Sequence, residues 1–588
     1  MTPGGWMPLR TLRTTFKARR IYPQNSPCLE VIRNASTKAL PPMIAQREDG
    51  LEKPIREDDL FQHTRFRWLT NDSQECARRY LRFNVHALID AAIDASGQSA
   101  SSCTRIFKYP DGLNNKVFIL TLDNGSEVLA RLSTPNAGPA FYTNASEVAT
   151  RGFLRSILNI PVPKICSYAL DAANPVGAEF ILEERAHGTP LDSLWSEWDV
   201  DARKSVLDEI VDIETKLTSV SFQKHGCIYY KKHLKEKGIP AYDLGIGASQ
   251  GFDNEVDTGL QEEFALGPLT EARLWADERE NMDLDRGPYS NPLHYVGKLG
   301  LNELLWAEAH AKPQINPYRS LDLSVAPPVS PVEYISLLDR FCQLALHLPL
   351  PDQQKTLSHP SLTLDKIFID PETRKVTSII GWQSASVSEG LFQHPVPSML
   401  LPMRYGPRVS ADHTGPTGDK SFDAYREEVE ELMNYYATQT LRKNRQRDLD
   451  LHPPNRNLLL APIYHVTGAW SRNEVFPLLH GVVGIAAHWE KIVADAQASM
   501  SDECPIDFSQ EEKDAFWQEL EARDPVEKVV RMLHDQGAIP EGGMVPAEQY
   551  EQALEANDIM QKSMESVAKD EQQLAQLKAC WPYRGREP

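Results

Sequence analysis

"LSHPSLTLDKIFIDPETRKVTSIIGWQSASV" runs from Leu357 to Val387, and its order of polar and apolar residues decides how the rest of the chain is read. His359 opens a loop, KIFI (366–369) reads as a short strand, and DPET supplies a turn. VTSII (376–380) then reads as a second strand that runs into Gly381, Trp382 and Gln383. Short apolar runs bounded by turn residues are the mark of strands. Folding these two against each other sets the loop at 359–366 beside residues 381–383. Such an end suits metal-dependent chemistry, yet the acidic side chains that chemistry needs are missing where the layout would put them.

Working outward, the N-terminal part reads as β-rich. In FNVHALIDAAIDA the residues Val85, Leu88, Ile89, Ala92 and Ile93 recur at helical spacing. KVFILTL (116–122) and EVLARL (127–132) are alternating runs joined by Asp-Asn-Gly-Ser, a hairpin signal. A helix is expected next, with Ser146 as its N-cap, Glu147 in the first turn, and Val148, Phe153, Leu154 and Ile157 toward a core. IPVPKICSYAL (160–170) is extended, and AEFILEERAHGTPL (178–191) is a strand ending in acids and a glycine turn. From Leu194 on the sequence is mostly helical, apart from a stretch at 225–300 that reads as a loop-rich insertion. Helices are expected at 300–312, 331–347, 421–442 and 475–494, and a charged helical tail from about 508 to 578. That tail is expected to be a solvated hairpin or a surface for a protein partner.

With 588 residues, of which 41% are hydrophobic, the chain can bury a sizeable core. A formal charge of −20 argues against a nucleic-acid surface, which needs basic patches to displace counterions. Eight scattered cysteines without a CxxC pair fit a reducing compartment, and favour neither a zinc site nor a disulfide framework. No run approaches eighteen apolar residues, so no transmembrane segment is expected. Residues 1–29 carry Arg10, Arg13, Lys17, Arg19 and Arg20, and the first acid is Glu30. A basic, acid-free, hydroxyl-containing leader is the pattern of a mitochondrial transit peptide, and a matrix-facing protein is expected.

The order of these elements, and the strings that carry it, resemble a known family. FQHTRFRWL (61–69), RYLRFNV (79–85), DGLNNKVFIL (111–120), VLARL, SEVATRGFLR and IPVPKI are similar to the fungal altered inheritance of mitochondria protein 9 family. So are GPLTEARLWADERENMDLDRGPY (267–289), HGVVGIAAHWEKI (480–492) and the ending GMVPAEQYEQAL with WPY (581–583). The resemblance implies an α+β, two-lobed protein-kinase-like fold in its aminoglycoside or choline phosphotransferase form, with a helical C-terminal extension. The division it suggests is a leader (1–29), an N-terminal extension and helix (30–95) and a β-rich N-lobe (96–187). A helical C-lobe (188–500, with the insertion) and an acidic helical tail (501–588) complete it.

The resemblance also implies roles for particular residues. Gly112, Asn115 and Lys116 fall in a nucleotide-covering loop, where glycine permits close backbone approach and the other two supply donors. Arg131 falls where a phosphate-gripping lysine is expected, and Glu147 where that base finds its partner; an ion pair that only ties strand to helix is the alternative. Glu183, in FILEE, marks the hinge that would hydrogen-bond an adenine through its backbone. Active members of the superfamily carry H-G-D-L-H-x-x-N, followed by I-D-W or D-F-G. Aligned on His359, this chain has Ser361 for the catalytic Asp, Lys366 for the metal-binding Asn, and Gly381 for the metal-binding Asp. The expected reading is therefore a catalytically degenerate phosphotransferase, a pseudokinase kept as a binding or scaffold module. Its ligand would be ATP held without Mg²⁺, with the Lys366 ammonium in place of the metal, and no metal site is expected. The alternatives are a working ATP-dependent small-molecule kinase that recruits Asp365, Asp370 or a residue of 225–300, and a purely structural protein acting through its tail.

Overall fold

The computed structural model describes residues 39–46, 50–97, 100–248, 262–314, 316, 329–401, 420–496, 503–535 and 540–566, with scattered positions between 568 and 583. The leader at 1–29 lies outside the described residues.

The first lobe is built on a seven-stranded sheet. Its strands are β1 (Met43–Gln46), β2 (Glu52–Pro54), β4 (Cys103–Lys108), β5 (Asn115–Leu122), β6 (Glu127–Ser133), β7 (Ile165–Ala169) and β8 (Phe180–Glu183). A further short strand, β3 (Phe66–Trp68), stands apart from this sheet. The order is β2-β1-β4-β5-β6-β8-β7, so the expected hairpin β5–β6 sits at its centre. Their register pairs Val117 with Arg131 and Phe118 with Ala130. β8 lies between β6 and β7 and is buried along its length, which is why its first three residues, FIL, read as a continuous apolar run. Helix α1 (Val85–Ala95), capped by the Asn84 side chain accepting from the Ala87 N–H, lays Val85, Leu88, Ile89 and Ala92 on Phe118, Leu120 and Leu132. The segment set apart in sequence as an N-terminal extension thus supplies two strands and a helix to the lobe's own core.

Helix α2 (Tyr142–Ser156) starts four residues before the expected cap, so Ser146 lies inside it. The reason is non-local. Glu179, from the strand region of β8, accepts the Phe141 N–H at 2.7 Å and the Asn144 side chain at 2.8 Å. This places a carboxylate at the helix N-terminus that no local capping rule registers.

The second lobe gathers α3 (Val200–Thr218), α4 (Pro292–His310), α5 (Pro331–Ala345), α6 (Lys420–Lys443), α7 (Arg456–Val466) and α8 (Val475–Ala487). One core packs α3 and α6 against the hairpin Ile367–Ile369/Val376–Ile379. Another joins α4, α5, α7 and α8 around Tyr334, Phe341 and Leu478. The described part of 225–300 is not a loop insertion: Cys227–Tyr230 pairs with Phe264–Gly267 and both are largely buried. Four-residue runs are too short for periodicity to reveal. The tail, α9 (Gln510–Asp535) and α10 (Tyr550–Ser566), is likewise no free hairpin, because Met544–Pro546 pairs with β3 in the first lobe. Among the described residues no helix is long and apolar enough to cross a membrane. The whole is a two-lobed α+β fold with a helical C-terminal region.

Candidate functional site

The hairpin forms as the sequence predicts. Ile367 pairs with Ile379 and Phe368 with Ser378, and the short strand β9 (Thr189–Pro190) extends the sheet on the other side. The Ile380 N–H bonds the Lys366 carbonyl at 3.0 Å, so 359–366 and 380–383 are brought side by side.

His359 fixes this end. Its Nε2 donates to the Ile380 carbonyl at 2.9 Å and its Nδ1 accepts the Ser361 N–H at 3.2 Å. Its ring meets Trp382 edge to face at 4.5 Å. With one nitrogen donating and the other accepting, the imidazole is neutral, and burial pushes its pKa down to about 3. The Ser361 hydroxyl bonds only Ser398, at 3.3 Å, among the described residues. A space of about 40 Å³ beside His359, Ser361, Trp382 and Ser398 has room for a few waters.

Lys366 and Gly381 are packed together. A Cβ on Gly381 would lie 2.7 Å from Lys366 Cδ and 3.1 Å from Cε, and Gly381 has a φ of +88°. The lysine stem therefore fills the space that a metal-binding side chain at 381 would need. Its ammonium donates to the Ser361 carbonyl at 2.9 Å, and burial lowers its pKa. The rescue carboxylates are placed elsewhere. Asp365 is exposed and accepts from Thr363. Asp370 caps the DPET turn through the Glu372 and Thr373 N–H groups, roughly 13 Å along the strand from Lys366. Among the described residues no group of three or more His, Cys, Asp or Glu side chains is placed to hold a metal. The residues at this end do not fit Mg²⁺.

Across the cleft, the residues read from sequence separate into two sets. Asn115 reaches the hairpin: its Nδ2 donates to Gln383 Oε1 at 2.7 Å, a bond between positions 268 residues apart. Gln383 Nε2 is buried and has no hydrogen-bond partner among the described residues. Lys116, expected beside Asn115 as a phosphate donor, points the other way. It is buried, donates to the Gln62 carbonyl at 2.8 Å and faces Asp111 at 3.5 Å, and burial brings its pKa down to about 8. Neighbours on a strand face opposite sides, so only one of the two can line the cleft. Gly112 has no left-handed φ, and a Cβ there would meet the Asn115 carbonyl at an ordinary 3.5 Å.

Arg131 and Glu147 do meet, at 2.5 Å, within a larger network. Arg151 bonds Glu183 and stands 3.6 Å from Glu147, and Arg131 is 3.8 Å from Glu183. Burial opposes the Arg131 cation, but the two carboxylates more than offset it and hold its pKa above the ordinary arginine value. Glu183 thus acts here through its side chain, and the next backbone N–H, of Glu184, is bonded to the Lys164 carbonyl at 3.0 Å. Arg151 was not singled out from sequence; its place four residues after Glu147 on a helix was the available signal. A cavity of about 750 Å³ between α5, α8 and α9 shares none of these residues.

No family model matches the sequence. A subtelomeric hrmA-associated cluster protein of Aspergillus fumigatus is 32% identical over 530 residues, covering 82% of this chain and 97% of that protein. Altered inheritance of mitochondria protein 9 of Clavispora lusitaniae is 24% identical over 525 residues, covering 79% and 83%. Its Saccharomyces cerevisiae counterpart is 23% identical over 594 residues, covering 86% and 89%. Among solved structures, the GDP complex of aminoglycoside 2'-phosphotransferase-IIIa is 12% identical with a TM-score of 0.31, covering 68% of this chain and 98% of that one. Plasmodium vivax ethanolamine kinase is 11% identical with a TM-score of 0.28, covering 70% and 80%.

Proposed function

The chain belongs to the same family as altered inheritance of mitochondria protein 9 and the subtelomeric hrmA-associated cluster protein, and from that premise we propose that it is a mitochondrial, matrix-facing protein that keeps a phosphotransferase-like cleft for binding and transfers no phosphoryl group. The observation that carries the reading is the Lys366 stem packed against Gly381. Phosphoryl transfer of this kind depends on a base that orients the acceptor and on metal that neutralises developing charge. Here a hydroxyl, an ammonium and a glycine stand at those positions. Loss of a general base alone costs a factor of about 10² to 10⁴, and loss of the metal removes several kcal/mol more.

The ligand in this reading is a nucleoside triphosphate bound without Mg²⁺. Lys366 would supply the fixed cation, and Asn115 and Gln383 Nε2 would supply neutral donors from the two sides of the cleft. The protein would serve as a nucleotide-responsive binding or scaffold module, with a transit peptide at 1–29. Isothermal titration with ATP, in EDTA and again in excess Mg²⁺, tests it: comparable affinity in both is expected. No binding in either buffer, or steady ATP turnover by the unmodified protein, would overturn it.

A further inference from the structure

Two strings that carried the family resemblance, residues 61–69 and the ending from Gly543, have no part in the cleft, and the fold brings them together. β3 pairs antiparallel with Met544–Pro546, Arg67 opposite Val545. The ladder continues outward, with the Leu69 N–H on the Gly543 carbonyl at 2.8 Å and the Ala547 N–H on the Arg65 carbonyl at 2.8 Å. The alternation of an antiparallel pair makes Arg67–Val545 the hydrogen-bonded pair between them. Arg67 lies over the Tyr550 ring at 4.1 Å while its fork grips Asp72. Leu69 is buried with Leu533, Trp581 and Tyr583 of the tail.

The same short segment holds the loop between β4 and β5 by its other end. Both the N–H and the hydroxyl of Thr64 donate to Asp111 Oδ2, each at 2.9 Å. Lys108 and Lys116 are buried beside that one carboxylate, Lys108 at 2.8 Å and Lys116 at 3.5 Å. Two ammonium groups against one acid leave an excess of positive charge, which carbonyls of the segment satisfy. Lys108 donates to the Asp59 and Gln62 carbonyls at 2.8 and 2.9 Å, and Lys116 to that of Gln62 at 2.8 Å. Without those carbonyls the buried charges would be under-solvated. The loop that begins at Asp111 ends at Asn115, the residue that crosses to Gln383.

We propose that residues 59–69 are a strap through which the docked C-terminal tail sets the position of the 111–115 loop. The tail is then a regulatory element of the cleft: whatever displaces it frees the loop and the Asn115–Gln383 contact. The proposal holds whether or not the cleft binds nucleotide.

Hydrogen exchange read by mass spectrometry on the full chain tests it. Val545→Pro removes the central donor of the ladder, and Trp581→Ala removes a tail anchor without touching the backbone. Both are expected to speed exchange in 544–566 and, about tenfold, in 109–116, as loss of one or two hydrogen bonds would, with α3 unchanged as the check on folding. Thr64→Val is expected to speed the loop alone and to add nothing to Trp581→Ala there. Faster exchange in the tail with 109–116 at its original rate in the Trp581→Ala protein would overturn the proposal.

Discussion

At Gly381 two effects act on any replacement. The φ of +88° is strained for a side chain, and the Cβ itself would meet Lys366 Cδ at 2.7 Å. Lys366 and Gly381 are therefore a coupled pair, and restoring one acid is not a local edit. Gly381→Asp alone is expected to destabilise the fold by about 2–3 kcal/mol. Lys366→Ala removes the clashing stem, so the double variant should be more stable than the sum of the single effects by about 1 kcal/mol or more. Urea denaturation of the four proteins measures this, and additive effects would refute the coupling. The aligned positions were legible in sequence, because the spacing from His359 to Gly381 survives. That Lys366 occupies the space over Gly381 was not legible, since it depends on a left-handed backbone and a rotamer.

Among the elements, β6, β8 and α2 are tied by four charges, the half-buried Arg131 and the buried Glu147, Arg151 and Glu183. Two cations face two anions, so each removal strands a partner. Arg151→Met is expected to cost about 3–5 kcal/mol, because Glu183 loses its close partner and Arg131 stands 3.8 Å away. Arg151→Met with Glu183→Leu should recover most of that loss, as apolar replacement of a buried pair often does. Chemical denaturation decides the matter; a double variant as unstable as the single one would refute the account. The strand-to-helix pair Arg131–Glu147 follows from the family resemblance. Three features do not. Lys116 reads as a cleft residue because adjacency in sequence hides the alternation of faces along β5. The start of α2 is hidden from local rules because its anionic cap, Glu179, comes from another element. The docking of the tail depends on pairing between residues 66–68 and 544–546, a separation over which no local pattern speaks.

Over the whole molecule, the neutral histidines set how the fold responds to acid. Burial holds His359 at about 3 and His63 at about 4, and lowers His233 in the same direction. Each must stay neutral for its contacts: His359 accepts the Ser361 N–H, and His63 accepts the Phe66 N–H at 3.3 Å in the strap. Both ends of the lobe-to-lobe connection, the strap and the hairpin, thus contain a histidine that is depressed on folding. In the unfolded chain these side chains take up protons near 6.5. Below that pH the unfolded state binds more protons than the folded state, so stability rises with pH through this window and falls as pH drops. The loss is complete only near the folded values of 3 and 4. Between about pH 6.5 and 5 each of the two most shifted histidines should remove up to about 2 kcal/mol. Glu474, held near 2 first by His465, titrates below that range, whereas burial raises the carboxyl groups of Glu179 and Asp450, which opposes the histidine slope. Urea midpoints measured from about pH 7.5 to 5 are expected to fall steadily below 6.5, and His359→Asn to flatten the slope. A stability that stayed level across that window in the unmodified protein would show that these imidazoles are not buried neutral, and would remove the basis for a fixed tautomer at His359.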